Sequence, residues 1–183
     1  AGTEIVVPDL TQFQAGFTFG FPIIKNKLFM MVNAEIDNRE DLGTVFVPSG
    51  SPNSAGDNTS RVELADMQLV SDALLDNFGY DTGLAEGYTH ATESIKGIVK
   101  LDWAINQSHT FSATYNFLDA SKQKPAHPSA IGRRGPDVTT LQFQNSGYQI
   151  TNVIHSGILE LRSLFGNSAS NKLQVGYTSF QDS

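Results

Sequence analysis

Cysteine is missing from this 183-residue chain, and long hydrophobic runs and clusters of basic residues are missing too. Without cysteine the chain has no disulfide, no thiol nucleophile and no thiolate ligand for zinc. The longest uninterrupted apolar run is Leu28 to Val32, whereas a membrane-spanning helix needs about 20 apolar residues. The net charge of -7 and the single adjacent arginine pair, Arg133 and Arg134, argue against a nucleic-acid-binding surface. A helical membrane protein and a nucleic-acid-binding protein are therefore excluded.

Catalytic and metal-binding motifs are also missing. No HExxH, GxSxG, P-loop or GxGxxG sequence occurs. The four histidines match no metal-ligand spacing; they are His90, His109, His127 and His155. Four acids near position 40 are more typical of a solvated surface than of a cation site; they are Glu35, Asp37, Glu40 and Asp41. We therefore expect no enzymatic activity, no cofactor and no metal site.

What the sequence does contain is apolar and polar residues in alternation, the pattern of a β-strand with two different faces. The pattern recurs six times, in three pairs that are each joined by a short polar turn. The predicted strands cover residues 15–24, 28–40, 94–105, 110–121, 148–165 and 172–181. The predicted fold class is therefore all-β, with about six strands in three hairpins.

Long connections separate these hairpins. Residues 42–93 and 122–147 are rich in Gly, Pro, Ser, Asn and Asp, while compact domains usually connect their elements with about 4 to 6 residues. Short turns at one end of a sheet and long loops at the other are typical of a transmembrane β-barrel. Alternation alone is equally typical of a soluble β-sandwich, so the residue pattern leaves both open.

One short helix is predicted inside the first long connection. Ser60 and Glu63 have the spacing of a capping box, which marks a helix start. Apolar residues then follow at helical spacing up to Gly79, which predicts the helix end; they are Met67, Val70, Leu74 and Phe78.

Three segments carry a resemblance to a known family. The run GFPIIKNKLFMM from Gly20 to Met31 follows the pattern Gly-Gly-Pro-Ile-Ile-Lys-Asn-Lys-Leu-Phe-Phe-Phe, with apolar replacements at Phe21, Met30 and Met31. The segments VKLDWAINQSHTFSATYNFLDA and LQFQNSGYQITNVIHSGILELRSLFGNSASNKLQVGYTSFQD follow in order. Together they resemble the first barrel hairpins of TonB-dependent outer-membrane transporters of the Bacteroidetes Oar-like type.

The resemblance implies a section of a transmembrane antiparallel β-barrel in the bacterial outer membrane, with long extracellular loops and one short loop helix. Barrels of this type have about 22 strands around a plugged lumen, so six strands imply an internal fragment. The implied function is energy-coupled uptake of an unidentified substrate. The implied partners are outer-membrane lipid, the remainder of the same barrel with its plug, and the TonB complex through segments elsewhere.

In such a barrel one face of the hairpins would meet lipid and the other would line the lumen. The predicted lipid-facing stripe of the first hairpin is Leu28, Met30, Val32, Ala34 and Ile36. The predicted lumen-facing residues, which would contact plug or cargo, are Asn33, Glu35, Asp37, Lys100, Asp102, Asn116, Glu160 and Arg162. Cargo contacts would come mainly from the long loops.

Two alternatives share the same strand pattern. A soluble or surface-attached β-sandwich adhesin would explain the alternation and the acidic composition. A barrel that does not transport would have the same strands as well, and it would serve as a scaffold for surface lipoproteins or secretion machinery.

Overall fold

The structure is a computed structural model that describes residues 11–54, 56–127 and 136–183. The adjacent residues Arg133 and Arg134 lie outside the described residues. Within them the chain forms eight strands and one α-helix: β1 (Thr11–Ile24), β2 (Leu28–Leu42), β3 (Val47–Ser49), β4 (Thr59–Glu63), α1 (Leu64–Phe78), β5 (Thr89–Ala104), β6 (His109–Lys124), β7 (Tyr148–Phe165) and β8 (Ala169–Asp182). Two short 3-10 helices cover Gly56–Asn58 and Gln144–Ser146.

Six of these strands form one antiparallel sheet in the order β1-β2-β5-β6-β7-β8. Each hairpin therefore pairs with the next hairpin along the chain. In the last hairpin the register runs from Asn152 opposite Asp182 to Phe165 opposite Ala169. The predicted all-β fold with six strands in three hairpins is confirmed. The sheet is open, with β1 and β8 at its two edges.

The turn of the first hairpin depends on Asn26. This residue has a φ of 59°, a left-handed conformation that asparagine tolerates better than most residues. The turn is closed by the Lys27 amide, which donates to the Ile24 carbonyl at 3.0 Å. Farther along, the Asn33 amide group donates to the Thr18 hydroxyl at 2.8 Å. The turn and the contact between Asn33 and Thr18 therefore both stabilise the same register of β1 and β2.

The strands extend beyond the predicted boundaries on the side of the long connections. Strand β5 begins at Thr89 instead of residue 94, and β6 ends at Lys124 instead of residue 121. The prediction relied on apolar alternation, which fades in these extensions, whereas strand pairing needs only backbone groups. Side chains contribute here as well, since the Ala91 amide donates to the Gln123 side-chain oxygen at 3.0 Å.

The chain divides into two compact units. The first, which we call the sheet unit, comprises Phe13–Asn38, Glu93–Ser121 and Thr151–Ser183. The second, which we call the loop unit, is built from residues 11–12, Arg39–Thr92 and Lys122–Ile150, apart from the residues that the structure does not describe.

The loop unit contains regular structure where the sequence predicted mainly irregular connections. Strands β3 and β4 pair in parallel, with Val47 opposite Thr59. The Arg61 amide donates to the Val138 carbonyl at 2.7 Å, which joins the two long connections. The small core of the loop unit contains Tyr88 and Met67, both almost fully buried.

Helix α1 exists as predicted, but the predicted capping box is wrong. Ser60 lies in β4, where its hydroxyl donates to the Val138 carbonyl at 3.2 Å, and the N-cap is Glu63 without a side-chain cap. The capping geometry cannot form because β4 keeps the backbone extended as far as Glu63. The predicted helix end is confirmed, since Gly79 adopts a left-handed φ of 64°.

Only half of the apolar residues at helical spacing in α1 lie on its inward face. Met67 is buried and Leu74 is half-buried, whereas Val70 and Phe78 are exposed. The inward face also includes Ser71, whose hydroxyl is 2.7 Å from the Thr82 hydroxyl. A hydrogen-bonded serine therefore occupies a position that hydrophobic periodicity alone would not assign to the core.

At Gly147 the backbone of the loop unit approaches the backbone of Lys124 closely, and a substitution can test this contact. A Cβ at this position would lie 2.0 Å from the Lys124 carbonyl oxygen, so Gly147→Ala must displace backbone. We expect a loss of about 1 to 3 kcal/mol in the stability of the loop unit, the usual cost of overpacking. The measurement is hydrogen exchange in residues 122–127 and 144–150.

The matched control is Gly157→Ala, where a Cβ would meet nothing within 4 Å. This variant should leave exchange in the loop unit unchanged. Equal hydrogen-exchange protection in Gly147→Ala and in the unmodified chain would contradict the close approach of Gly147 to the Lys124 carbonyl.

Candidate functional site

The six-stranded sheet presents two chemically different faces. Successive side chains of a strand point to opposite faces, and side-chain contacts between strands fix which positions belong together. Glu35 on β2 accepts from Lys96 on β5 at 2.8 Å, and Asp102 on β5 accepts from Ser112 on β6 at 2.6 Å. These contacts define the polar face, formed by odd positions of β2 and even positions of β5 and β6.

Ion pairs on this polar face connect neighbouring positions. Lys100 and Asp102 lie two residues apart on β5 and approach to 2.9 Å. On β7 the Glu160 carboxylate binds Arg162 at 2.5 Å and also binds Lys172 of β8 at 2.7 Å. Arg162 and Lys172 are direct partners in the sheet register, so the single Glu160 carboxylate contacts two adjacent positive charges.

Four of the eight predicted lumen residues meet at one place. A concavity of about 390 Å³ on the polar face is lined by Lys100, Asp102, Thr110, Ser112, Thr114, Ile158, Glu160 and Arg162. The hydroxyl groups of β6 lie between the charges of β5 and those of β7. This concavity offers both signs of charge and several hydroxyl groups, which suits a hydrated polar surface better than a reaction centre.

The other predicted residues occupy the same face but not the concavity. Asn33 donates to Thr18 and also to the Phe17 carbonyl at 3.1 Å. Glu35 pairs with Lys96, and Asp37 also interacts electrostatically with Lys96. Asn116 is half-buried and follows Ser112 and Thr114 at alternate positions of β6.

Sequence reasoning missed two cations of the polar face, Lys96 and Lys172. Alternation could have indicated both, because Lys96 shares its parity with Asp102 and Lys172 shares its parity with Gln174. The predicted charge pattern also overlooked apolar members of this face; Ile98, Leu118, Ile154 and Ile158 are half-buried there.

The opposite face of the sheet is predominantly apolar. On β5 its members are Ile95, Gly97, Val99, Leu101 and Trp103. At about 3.3 Å per residue this band is about 26 Å long. Glu93 precedes it on β5, and Asp119 occupies the corresponding face of β6. The apolar band is therefore bounded by acids at the end that leads toward the long connections.

Aromatic clusters mark two levels of the apolar face. At one level the Tyr115 hydroxyl is 2.7 Å from His155 Nδ1, and the Phe117 ring is centred 5.3 Å from the His155 ring. At the turn end of the same strands, His109 contacts the edge of Phe165 with ring centroids 6.3 Å apart. His155 therefore lies on the apolar face of the sheet.

A shallow apolar groove runs across this face between the two aromatic levels. Its volume is about 440 Å³, and Gly157 forms its floor because no side chain stands there. The side chains around it are Val99, Leu101, Ala113, Tyr115, Leu159, Val175 and Tyr177. The groove is lined almost entirely by hydrocarbon, and its polar groups are the hydroxyls of tyrosines at its margin, so it suits an apolar ligand better than a polar one.

His90 is an unusual titratable group of the loop unit. Its Nε2 atom is buried and has no hydrogen-bond partner. Burial lowers the pKa of His90, although the nearby Asp41 carboxylate acts in the opposite direction. The ring contacts Tyr88 edge-on with centroids 5.6 Å apart, and burial raises the pKa of the Tyr88 hydroxyl. Both side chains therefore stay neutral near pH 7.

The described residues contain no group of three or more His, Asp or Glu side chains that could hold a metal ion. In the same part of the chain no helix has the length and apolar character needed to cross a membrane. Comparison with known proteins found no matching family model, no matching curated protein and no matching solved structure.

The buried imidazole of His90 predicts a pH dependence. An unfolded histidine has a pKa near 6.5, and the folded pKa of His90 is lower. Between these values the unfolded chain binds more protons, so the stability of the loop unit should fall as pH drops below about 6.5. The measurement is hydrogen exchange in residues 87–91 at about pH 7.5 and 5.5, corrected for intrinsic rates.

The control for this prediction is His90→Gln, which removes the titratable group and should remove the dependence in that window. An unchanged pH dependence in the variant would assign the effect to another residue.

Proposed function

We propose that the sheet unit is a section of the wall of an outer-membrane β-barrel, with its apolar face in lipid and its polar face toward a hydrated lumen. The observation that carries the proposal is the contrast between the two faces. Bands of about 26 Å on β5 and about 33 Å from Phe13 to Ile23 on β1 give heights of roughly 20 to 25 Å at the usual strand tilt. The apolar band of outer-membrane barrels is about 25 Å tall.

The aromatic clusters support the same placement. Aromatic side chains concentrate at both membrane interfaces, where an apolar ring and a polar tip are accommodated together. His109 and Phe165, at the turn end of the strands, have this character. Tyr115 lies within the apolar band, beside Val99 and Leu101. The hydrogen bond between Tyr115 and His155 satisfies two polar groups that would otherwise face hydrocarbon.

The open edges of the sheet also favour a larger barrel. Strands β1 and β8 each have one neighbour only, and both carry exposed apolar side chains such as Phe17, Phe19 and Tyr177. Unpaired backbone groups in lipid cost several kcal/mol each, so a sheet with free edges is not stable in a membrane. In the proposed protein both edges pair with further strands of the same barrel.

The polar face suits a lumen that holds a plug. Its described charges are compensated within the wall, so the wall can contact a polar plug without leaving single charges unpaired. The proposed activity is the one that the resemblance to TonB-dependent transporters of the Bacteroidetes Oar-like type implies: energy-coupled uptake, in which cargo binds outside and TonB pulls on the plug.

A soluble β-sandwich fits the same residues less well. Such a fold needs a second sheet to cover the apolar face of the first. Besides the six-stranded sheet, the described ranges contain only the two-stranded sheet of β3 and β4, which belongs to the loop unit. The exposed apolar face therefore favours lipid as its cover.

The decisive experiment places an arginine on each face. Leu101→Arg puts a charge in the apolar band and should cost roughly 2 to 4 kcal/mol if that position lies at the bilayer midplane. Thr114→Arg puts the same side chain on the polar face and should cost much less. The measurement is denaturant unfolding of the protein in lipid vesicles.

Equal costs at the two positions would contradict the face assignment. Monodisperse material in buffer without detergent, with a cooperative melt, would overturn the membrane proposal and favour the sandwich.

A further inference from the structure

A small polar cavity in the loop unit lies where three segments of the chain meet. Its volume is about 200 Å³, and its walls come from His90 of β5, from Gln123 and Lys124 of β6, and from residues between positions 144 and 149. At about 30 Å³ for each molecule of liquid water, this space holds roughly seven waters or a small organic molecule. None of the described lining residues is an aspartate or a glutamate. The walls therefore offer amide, imidazole, phenol and ammonium groups without a negative charge.

Lys124 supplies the positive charge of this cavity. The residue is half-buried, yet among the described residues its ammonium group forms no ion pair and no hydrogen bond. Charged side chains that lose solvent are usually paired, because the loss of hydration costs free energy. The cavity thus contains one positive charge that no described residue balances.

Two glutamines add hydrogen-bond donors to the walls. The Gln123 side-chain oxygen accepts from the Ala91 amide at 3.0 Å, and the Gln144 side-chain oxygen accepts from the Leu84 amide at 3.2 Å. A backbone N–H can bond only to the oxygen of a side-chain amide, so these contacts fix which end of each amide is the NH2 group. Neither NH2 group has a partner among the described residues. Both glutamines therefore contribute free donors and no free acceptor.

His90 adds a polar atom that lacks a partner. Its Nε2 atom is buried without a hydrogen bond, and such atoms in folded proteins usually bind a water or a ligand. The Asp41 carboxylate acts on His90 electrostatically, but it is already bound by Arg39 at 2.7 Å. The acid that acts on His90 therefore has its own counter-charge and leaves Lys124 unbalanced.

We propose that this cavity binds the carboxylate group of a small ligand. The Lys124 ammonium would balance the charge of the carboxylate, and the NH2 groups of Gln123 and Gln144 would donate to its oxygens. A carboxylate has about four acceptor sites, and hydrogen bonds to a charged group are stronger than neutral ones. The inference goes beyond the proposed function and rests on the loop unit alone, so its failure would leave the barrel proposal untouched.

Other ligands match these groups less well. A neutral molecule with hydroxyl groups would accept from the glutamines but would leave the charge of Lys124 unbalanced. A phosphate ester carries a charge of about -1.5 to -2 near pH 7, which is more than one lysine balances. A cation would meet Lys124 and find no described carboxylate in the walls.

The test uses the full chain in uncharged detergent micelles, with lactate as the acid and lactamide as its neutral counterpart. The two probes differ only in a carboxylate that replaces an amide. Saturation-transfer NMR measures the binding of each probe, with empty micelles as the blank. We expect saturable binding of lactate and about tenfold weaker binding of lactamide, which has no charge for Lys124 to balance.

Two substitutions in the walls should each weaken lactate binding by about tenfold. Lys124→Gln removes the positive charge. Gln144→Glu keeps an oxygen that accepts from the Leu84 amide and replaces the NH2 group by a negatively charged oxygen. Hydrogen exchange in residues 144–150 verifies that the loop unit of each variant is folded. The comparison of lactate with lactamide uses the unmodified chain, so it decides the proposal whatever the substitutions do to folding.

Two matched controls make the same charge changes outside the cavity. Lys122→Gln removes a positive charge from an exposed position of β6, and Gln68→Glu adds a negative charge at an exposed position of α1. Neither residue lines the cavity. Both variants should bind lactate as the unmodified chain does.

A further pair of probes identifies the source of the carboxylate. N-acetylalanine carries the carboxylate of a peptide end, and its amide is the neutral counterpart. Tighter binding of N-acetylalanine than of lactate would assign the site to a peptide end, and weaker binding would assign it to a free small acid. Either result supports carboxylate binding.

Four results would overturn the proposal. Equal binding of lactate and lactamide would mean that the cavity does not recognise a carboxylate. Tighter binding of methyl phosphate than of lactate would assign the cavity to phosphate. Equal losses in Lys124→Gln and Lys122→Gln would reduce the effect to general charge attraction. No saturable binding of lactate above the micelle blank would mean that water alone fills the cavity.

Discussion

The hydrogen-bond register of the antiparallel sheet is the constraint on which the rest of the sheet unit depends. A shift of one residue between neighbouring strands would send every side chain of one strand to the opposite face. Three side-chain contacts hold the register of three successive strand pairs: Asn33 with Thr18, Glu35 with Lys96, and Ser112 with Asp102. Each joins a different pair of neighbouring strands, and each would be lost after such a shift. Polar contacts on one face thus determine which apolar residues form the other.

The same constraint explains how the polar face carries charge. Register makes Arg162 and Lys172 direct partners, an arrangement that repels by itself. Glu160, two residues from Arg162 on the same face, binds both and turns the repulsion into a three-residue network. The network belongs to β7 and β8 only, while the Glu35 contact belongs to β2 and β5. The first network keeps one excess positive charge, and Glu35 with Asp37 around Lys96 keeps one excess negative charge. The charges of the polar face therefore balance over the sheet and not within each pair of strands.

The sequence was sufficient to predict the hairpins, because their turns are short and their alternation is regular. It also indicated most members of the polar and the apolar face, since odd-numbered and even-numbered residues of a strand lie on opposite faces of the sheet. Pairing between hairpins could not be predicted: Lys96 meets Glu35 across 61 residues, and only the three-dimensional register makes them neighbours. The parallel pair of β3 and β4 was missed for a related reason, since strands of three and five residues are too short to show alternation.

Helix α1 shows a different limit of periodicity. Its sequence has more apolar residues than one inward face can use, so the spacing Met67, Val70, Leu74 and Phe78 is helical without being the buried set. The fold instead turns the half-buried Ser71 inward, where its hydroxyl pairs with the buried Thr82, and leaves Phe78 in solvent. A surplus of apolar residues is neutral for the helix itself but unfavourable for solubility. The surplus lies in the segment that carries the net charge of the chain, and repulsion among its carboxylates opposes the self-association that exposed apolar side chains would otherwise favour.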